Sequence, residues 1–333
     1  MSEADAVAAV LWVGVTLYAV FGGADFGAGL WSLLARGDER GRRARDVIDW
    51  AIGPVWEANH VWLIFVFVVL WTSFSGAFEA IFSTLFIPLS LAALGIVVRG
   101  SGFAFHRVAR RVGGRRLATE LFGVASLMTP FFMGTVVGAV ASGRVPVGNA
   151  EGDAVTSWLN GVSLLTGALF VSTGAYLAAV FLVSDAHRAD DRDLERYFTT
   201  RAVAAAIVAG VVAAADLIAL HGDARHLYDR LVAEALPLMI VSALCGIGVL
   251  VLLARGERRF SRALAIGAVA AVIWGWGVAQ FPYLLPETLT IREGAAVSAT
   301  LTEVLVVFGV AVVLVIPALG LLYALTQRSV LEE

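Results

Sequence analysis

Nine apolar runs, each long enough to cross a bilayer, constrain this chain more than any motif in it. They cover about 6–35, 51–74, 77–99, 117–142, 157–184, 199–220, 235–254, 261–284 and 297–326, against the roughly 20 residues a membrane helix needs. Backbone polar groups in hydrocarbon must be satisfied within the segment, so the runs read as helices. A barrel would need alternating strands of about ten residues, which are missing. Composition agrees: 59% of the 333 residues are hydrophobic and 15% charged, with a mean hydropathy of +0.84. Soluble domains carry nearer a quarter charged residues. A secreted enzyme, a nucleic-acid-binding protein and a disulfide scaffold are excluded. The expected fold is an all-α polytopic membrane protein, with residues 1–333 forming a single integral membrane domain.

Charge placement sets the expected orientation. The chain has no lysine, and its 24 basic residues are arginines. Twenty fall in alternate connections and the C-terminal tail, among them Arg36–Arg45, Arg99–Arg116, Arg188–Arg201 and Arg255–Arg262. Only Arg144, Arg225, Arg230 and Arg292 lie on the other side. The positive-inside rule makes the arginine-rich side cytoplasmic, and nine spans then put the N-terminus outside. The acidic start, Met-Ser-Glu-Ala-Asp, followed by a full-length span, does not read as a cleavable leader. The one cysteine, Cys245, excludes an internal disulfide. The first and fifth helices share small residues, too little to read as a repeat.

Ionisable groups at bilayer depth are functional candidates by default. Asp25 stands within Phe21-Gly22-Gly23-Ala24-Asp25-Phe26-Gly27-Ala28-Gly29, with Gly22 and Gly29 on its face, so a neighbouring helix can approach closely. The alternative is an acid that only packs helices. A second cluster opens the second run: Gly53-Pro54-Val55-Trp56-Glu57-Ala58-Asn59-His60-Val61-Trp62. Glu57 and His60 are three apart and share a face, and Asp25 and Glu57 fall at similar depth in antiparallel helices. Two carboxylates and a histidine at one level suit a proton entry path; the alternative is a polar helix end in an aromatic belt. Glu79, Glu120, Asp216 and Glu303 read as interfacial or packing residues, and His106, His187, His221 and His226 as loop-associated. Only His60 is placed to reach a haem, with no second histidine opposite, so the chain is no self-contained cytochrome. Met128, Met133, Met239 and Cys245 read as packing residues. Walker, dinucleotide-binding and HExxH signatures are missing.

The Gly22-to-Gly29 element, the string Gly53-Pro54-Val55-Trp56-Glu57-Ala58-Asn59-His60-Val61-Trp62-Leu63-Ile64 and the segment Gln280-Phe281-Pro282-Tyr283-Leu284-Leu285-Pro286 closely resemble subunit II of the cytochrome bd quinol oxidases. The resemblance extends over essentially the whole chain. It implies two four-helix bundles plus one peripheral helix and a heterodimer with a haem-bearing subunit I in a bacterial or archaeal cell (inner) membrane. It also implies quinol oxidation coupled to O₂ reduction to water. Two haems b and one haem d would reside in the partner, leaving this chain without catalytic or haem-binding residues. Its implied tasks are to stabilise that partner and to carry protons from the cytoplasm through Glu57, Asp25 and His60, supported by Trp56 and Asn59. Asp25 matches an acid seen either as a proton-path or as a cation-binding group. The family can also carry a structural quinone and a small accessory subunit. Departures include Gly22 where some members have another acid, Glu57-Ala58 where many have Asp-Gly, and His60 where Gln or Glu is common. The competing readings are a proton-coupled secondary transporter, expected to show broken helices in corresponding halves, and a purely structural scaffold.

Overall fold

In the computed structural model, backbone is described for residues 2–35, 37–52, 56–108 and 112–327. Side chains of 52, 56–58, 103–108, 112–118, 316, 319–320 and 322–327 lie outside the description. The first helix, α1 (Glu3–Leu17), starts on a reciprocal cap. The Ser2 hydroxyl accepts from the Asp5 amide at 3.1 Å, and the Asp5 carboxylate accepts from the Ser2 amide at 2.8 Å. A π-helical turn, Tyr18–Gly22, joins α1 to α2 (Gly23–Leu34), making 32 continuous helical residues, or roughly 48 Å at 1.5 Å per residue. The arginine-rich first connection is itself a helix, α3 (Glu39–Ile52), which buries Ala44 and Ile48, one turn apart, against the core.

The second and third runs differ from expectation. Helix α4 (Trp56–Ser73) stops at Phe74, and α5 (Ser75–Thr84) leaves at 118°. A second stop at Leu85 precedes α6 (Phe86–Val108). The run 77–99 is therefore two helices, not one. Pro88 sits in the first turn of α6, where a missing N–H breaks no helical bond.

Next come α7 (Val112–Ala141), α8 (Gly161–Arg188) and α9 (Arg192–Asp223), the last two capped by Asn160 and Asp191. They are followed by α10 (Arg225–Ala233), α11 (Leu236–Ala254) and α12 (Ser261–Gln280). The eighth run ends at Gln280 rather than near 284, because Pro282 lacks a donor and disfavours helical backbone in the residue before it. A short hairpin, β1 (Tyr283–Leu285) with β2 (Leu289–Thr290), precedes α13 (Ser298–Gln327).

Among the described residues seven helices are long and apolar enough to span a membrane by themselves, or eight if the bent pair α4–α5 is one span. The apolar part of α6, Phe86–Gly102, is shorter.

A repeat invisible in the side chains shows in the backbone. Phe74 and Ala224 have nearly identical dihedrals, φ −139° with ψ 54° and 56°. A helix of ten or nine residues follows each, and then a second stop at Leu85 (φ −102°, ψ 27°) or Ala235 (φ −98°, ψ 0°). The succession α4–α5–α6 thus recurs as α9–α10–α11. Sequence comparison of the first and fifth helices missed it because the shared feature is where helices stop.

The core is centred on α2, which lies between α7 and α8. Glycine makes this possible at one point: a Cβ on Gly27 would sit 2.0 Å from the Gly174 carbonyl oxygen of α8. On the side facing α7, a Cβ on Gly29 would sit 2.1 Å from Ser126 Oγ. Gly22 differs from expectation, since its Cβ would meet its own helix's Tyr18 ring. At the periphery, α13 rests on α1 and α4 with only 6% of its apolar window buried.

Three arginine-rich connections meet at one end. Arg40 and Arg43 of α3 bind Asp191 and Asp193, Arg258 binds Glu195, and Arg262 binds Asp185. At the opposite end Arg292 reaches Asp5 at 3.3 Å and Ser298 donates to Glu3 at 2.5 Å. The first, fifth and seventh connections, expected to share a side, do share one.

Gly27→Ala should lower the thermal midpoint of the purified protein, since overpacking against backbone costs about 1–3 kcal/mol. Gly210→Ala on α9, where a Cβ meets nothing within 4 Å, should leave it unchanged. Equal midpoints would show that the α2–α8 contact yields freely.

Candidate functional site

Just past the π-helical turn, α2 presents Asp25 to the interior, with 2% of its side chain exposed. Its partner is Arg99 of α6, 1% exposed, whose Nη2 donates to Asp25 Oδ1 at 2.6 Å. Arg99 was expected in the third connection, at the cytoplasmic surface, and the structure overturns that placement. The helix continues nine residues past it, through Gly100-Ser101-Gly102, so Arg99 is an interior residue. The signal was present: small and apolar residues continue to Phe105, and the run was closed too early at the first charge. Without Arg99 the arginine tally is nineteen against four, and the bias stands.

The pair has a built enclosure. Arg99 Nε donates to Ser126 Oγ at 3.0 Å, and its guanidinium carbon lies 4.8 Å from the ring centres of both Phe26 and Phe122. Ser126 in turn donates to the Phe122 carbonyl at 2.7 Å. Two rings against the guanidinium supply cation–π attraction where water is excluded. The short charge-assisted bond makes the pair neutral as a unit. Among the described residues Asp25 Oδ2 and Arg99 Nη1 have no hydrogen-bond partner. The pair therefore keeps one acceptor and one donor uncommitted. The cation beside Asp25 is this guanidinium, and no group of three or more His, Cys, Asp or Glu among the described residues could hold a metal ion.

Helix α4 supplies the next shell. Asn59 is buried and its Nδ2 points to the Phe21 carbonyl, at the long distance of 3.4 Å, inside the π-helical turn. A π turn offers carbonyls that a regular helix would use itself. His60 is half-buried, with its ring edge-on to Phe26, 6.1 Å between centroids. Asn59, His60 and Asp25 are thus gathered around Phe26 and the turn before it. Trp56 and Glu57 open α4, and their side chains lie outside the described residues.

Other expected residues fall as follows. Asp216 of α9 is buried and accepts from Thr166 of α8 at 3.1 Å, a helix-packing bond. Glu79, Glu120 and Glu303 are exposed. Gln280 closes the C-terminal end of α12: it accepts from Trp276 Nε1 at 2.7 Å and donates to the Leu284 carbonyl at 2.9 Å, folding the following segment onto the helix.

Removing one partner of a buried pair leaves an uncompensated charge, which costs about 3–5 kcal/mol. Asp25→Asn and Arg99→Gln should each sharply reduce the yield of folded protein. The double variant should recover part of the loss, a coupling readable by thermal unfolding in detergent. Additive losses would show that the two charges do not depend on each other.

Comparison with known proteins identifies the family of the chain. The family model described as cytochrome bd terminal oxidase subunit II matches residues 4–326. A Bacillus subtilis (strain 168) protein designated cytochrome bd menaquinol oxidase subunit II is 22% identical over 332 residues, covering 96% of this chain and 94% of its own. The same organism's cytochrome bd ubiquinol oxidase subunit 2 is 23% identical, covering 84% and 80%. Among solved structures, a chain of the bd oxidase from Geobacillus thermodenitrificans superposes with a TM-score of 0.76 at 26% identity, covering 98% of this chain and 99% of that one. With a family match running almost end to end and a solved structure of the same length and shape, the chain belongs to the cytochrome bd terminal oxidase subunit II family.

Proposed function

We propose that this chain is the non-haem subunit II of a bd-type quinol oxidase, paired in the cell membrane with a haem-bearing subunit I, in a complex that oxidises quinol and reduces O₂ to water. The family match over residues 4–326 carries this reading. Among the described histidines, His60 packs edge-on to Phe26, His187 and His221 lie at helix ends, and His226 stands in the first turn of the short α10. Following the family resemblance, the reading assigns two haems b and one haem d to the partner, and none to this chain. The same proposal takes the arginine-rich end as cytoplasmic, the N-terminus as external, and nine spans in one integral domain. Its two four-helix bundles would be α1–α2, α4, α6 and α7, then α8, α9, α11 and α12, with α13 peripheral. The recurring helix stops at Phe74 and Ala224 support that division.

This chain's residues would act in two ways. Asp25 and Arg99 tie α2 to α6 in the interior, giving the partner a fixed surface to pack against. Glu57, at the start of α4, would take protons from the arginine-rich side and pass them inward. His60 and Asp25 would be the polar groups beside it, and Trp56 and Asn59 would hold the helix start against the π-helical turn. The transporter reading wanted helices broken within the membrane in both halves. Corresponding stops do occur here, but each follows a helix of 18 or 32 residues and precedes one of only ten or nine, so neither divides a single helix into comparable halves.

Purified from native membranes, the protein should bring down a coloured partner with b- and d-type absorption; a colourless preparation would refute the assignment. Glu57→Gln should leave assembly and haem content near normal while slowing O₂ reduction by about tenfold or more, within the usual range for losing a proton-transfer group. Wild-type turnover in the fully assembled variant would remove Glu57 from the proton path.

A further inference from the structure

At the arginine-rich end, a cavity of about 450 Å³ lies between the last turn of α8 and the α11–α12 turn. It is lined by Ser184, His187 and Arg188 on one side and by Gly256 to Arg259 and Arg262 on the other. Such a volume is within the range of small-molecule sites, about 300–1,000 Å³. Its charges are unevenly matched. Asp185 is shared by Arg188 and by Arg262, the latter at 2.6 Å. Glu195 is shared by Arg258 at 2.6 Å and His187 at 3.2 Å. Glu257 stands on the exposed rim. Arg259 has no ion pair among the described residues and lies over its neighbour Phe260, 5.4 Å to the ring centre. Among the described residues four guanidinium groups face three carboxylates with histidine neutral, and Arg259 carries the excess positive charge. Arg262 Nε also has no acceptor among the described residues.

The surroundings say what would match that charge. Helix α11 has only 11% of its apolar window buried, and Leu244, Ile247 and Val251 form an exposed stripe at helical spacing that rises toward Gly256. Phe260, 59% exposed, stands beside the mouth. An arginine-lined cavity at the end of a helix that carries an exposed apolar stripe has the two halves of a phospholipid site. Guanidinium groups bind phosphate oxygens in a fixed fork, and arginine clusters at a membrane surface favour anionic lipid.

We propose that this cavity binds the phosphodiester of a singly charged anionic phospholipid, with Arg259 and Arg262 on the phosphate, Arg188 beside it, and the acyl chains along α11. The shared chemistry is a phosphate group, and the commitment is to the lipid as its source. The proposal does not depend on the redox reading.

The test uses the complete purified oxidase in nanodiscs of phosphatidylcholine doped with phosphatidylglycerol, with retained lipid counted by native mass spectrometry. The wild type should retain phosphatidylglycerol over phosphatidylcholine. Arg259→Gln combined with Arg188→Gln should weaken retention about tenfold or more, at about 1 kcal/mol per arginine near a membrane surface. Arg259→Lys should keep most of it, and Arg259→Gln alone provides a second reading if the double variant fails to assemble. Millimolar inorganic phosphate should not displace the lipid. Undiminished retention in the glutamine variants, equal retention of phosphatidylcholine, displacement by phosphate, or a wild type holding no lipid because its partner subunit closes the cavity would each overturn the proposal.

Discussion

A carboxylate and a guanidinium, 2.6 Å apart and almost wholly removed from solvent, are the constraint to which the interior of this protein is fitted. Either charge alone inside the membrane would be prohibitive; together they are tolerable only with close geometry and further polar contacts. The surrounding features meet those conditions. Gly29 lets α7 come close enough for Ser126 to accept from Arg99, Phe26 and Phe122 flank the guanidinium, and Gly27 seats α2 on α8 so that Asp25 cannot swing away. The π-helical turn ahead of Asp25 then turns the Phe21 carbonyl toward Asn59. Helices α2, α4, α6 and α7 therefore meet at one polar point.

That arrangement makes two readings of Asp25 that the sequence left open, helix packing and the proposed proton path, compatible with each other. Packing and function are not alternatives for a group bound on one oxygen and uncommitted on the other. One oxygen fixes the helices; among the described residues the other has no hydrogen-bond partner.

Much of the fold was legible because hydrocarbon imposes a simple rule on long apolar runs, and Asp25 was legible because a charge inside one stands out. Arg99 was not, because it lies where a run could be closed, and a basic residue near a run's end reads as a loop anchor. The split of the third run was hidden for another reason. Phe74 and Leu85 are good helix-compatible residues, and no glycine or proline occupies either stop, so only tertiary packing turns the chain there. Helix α3 was passed over for its arginines, although Ala44 and Ile48 at helical spacing carried the signal. The proton path through Glu57 rests on resemblance, since its carboxylate lies outside the described residues.

The arginine-rich end is laced differently from the interior. Its links, from Arg40 and Arg43 to Asp191 and Asp193, are half open to water, whereas Arg99 and Asp25 are sealed. Mobile ions screen exposed charges over about 8–10 Å at physiological strength but do not enter a dry interior. The molecule thus carries two classes of electrostatic tie with opposite sensitivity to electrolyte. In concentrated brine the lacing at the arginine-rich end would slacken while the inner knot held, so loosening would begin at the surface loops and leave the helical scaffold standing.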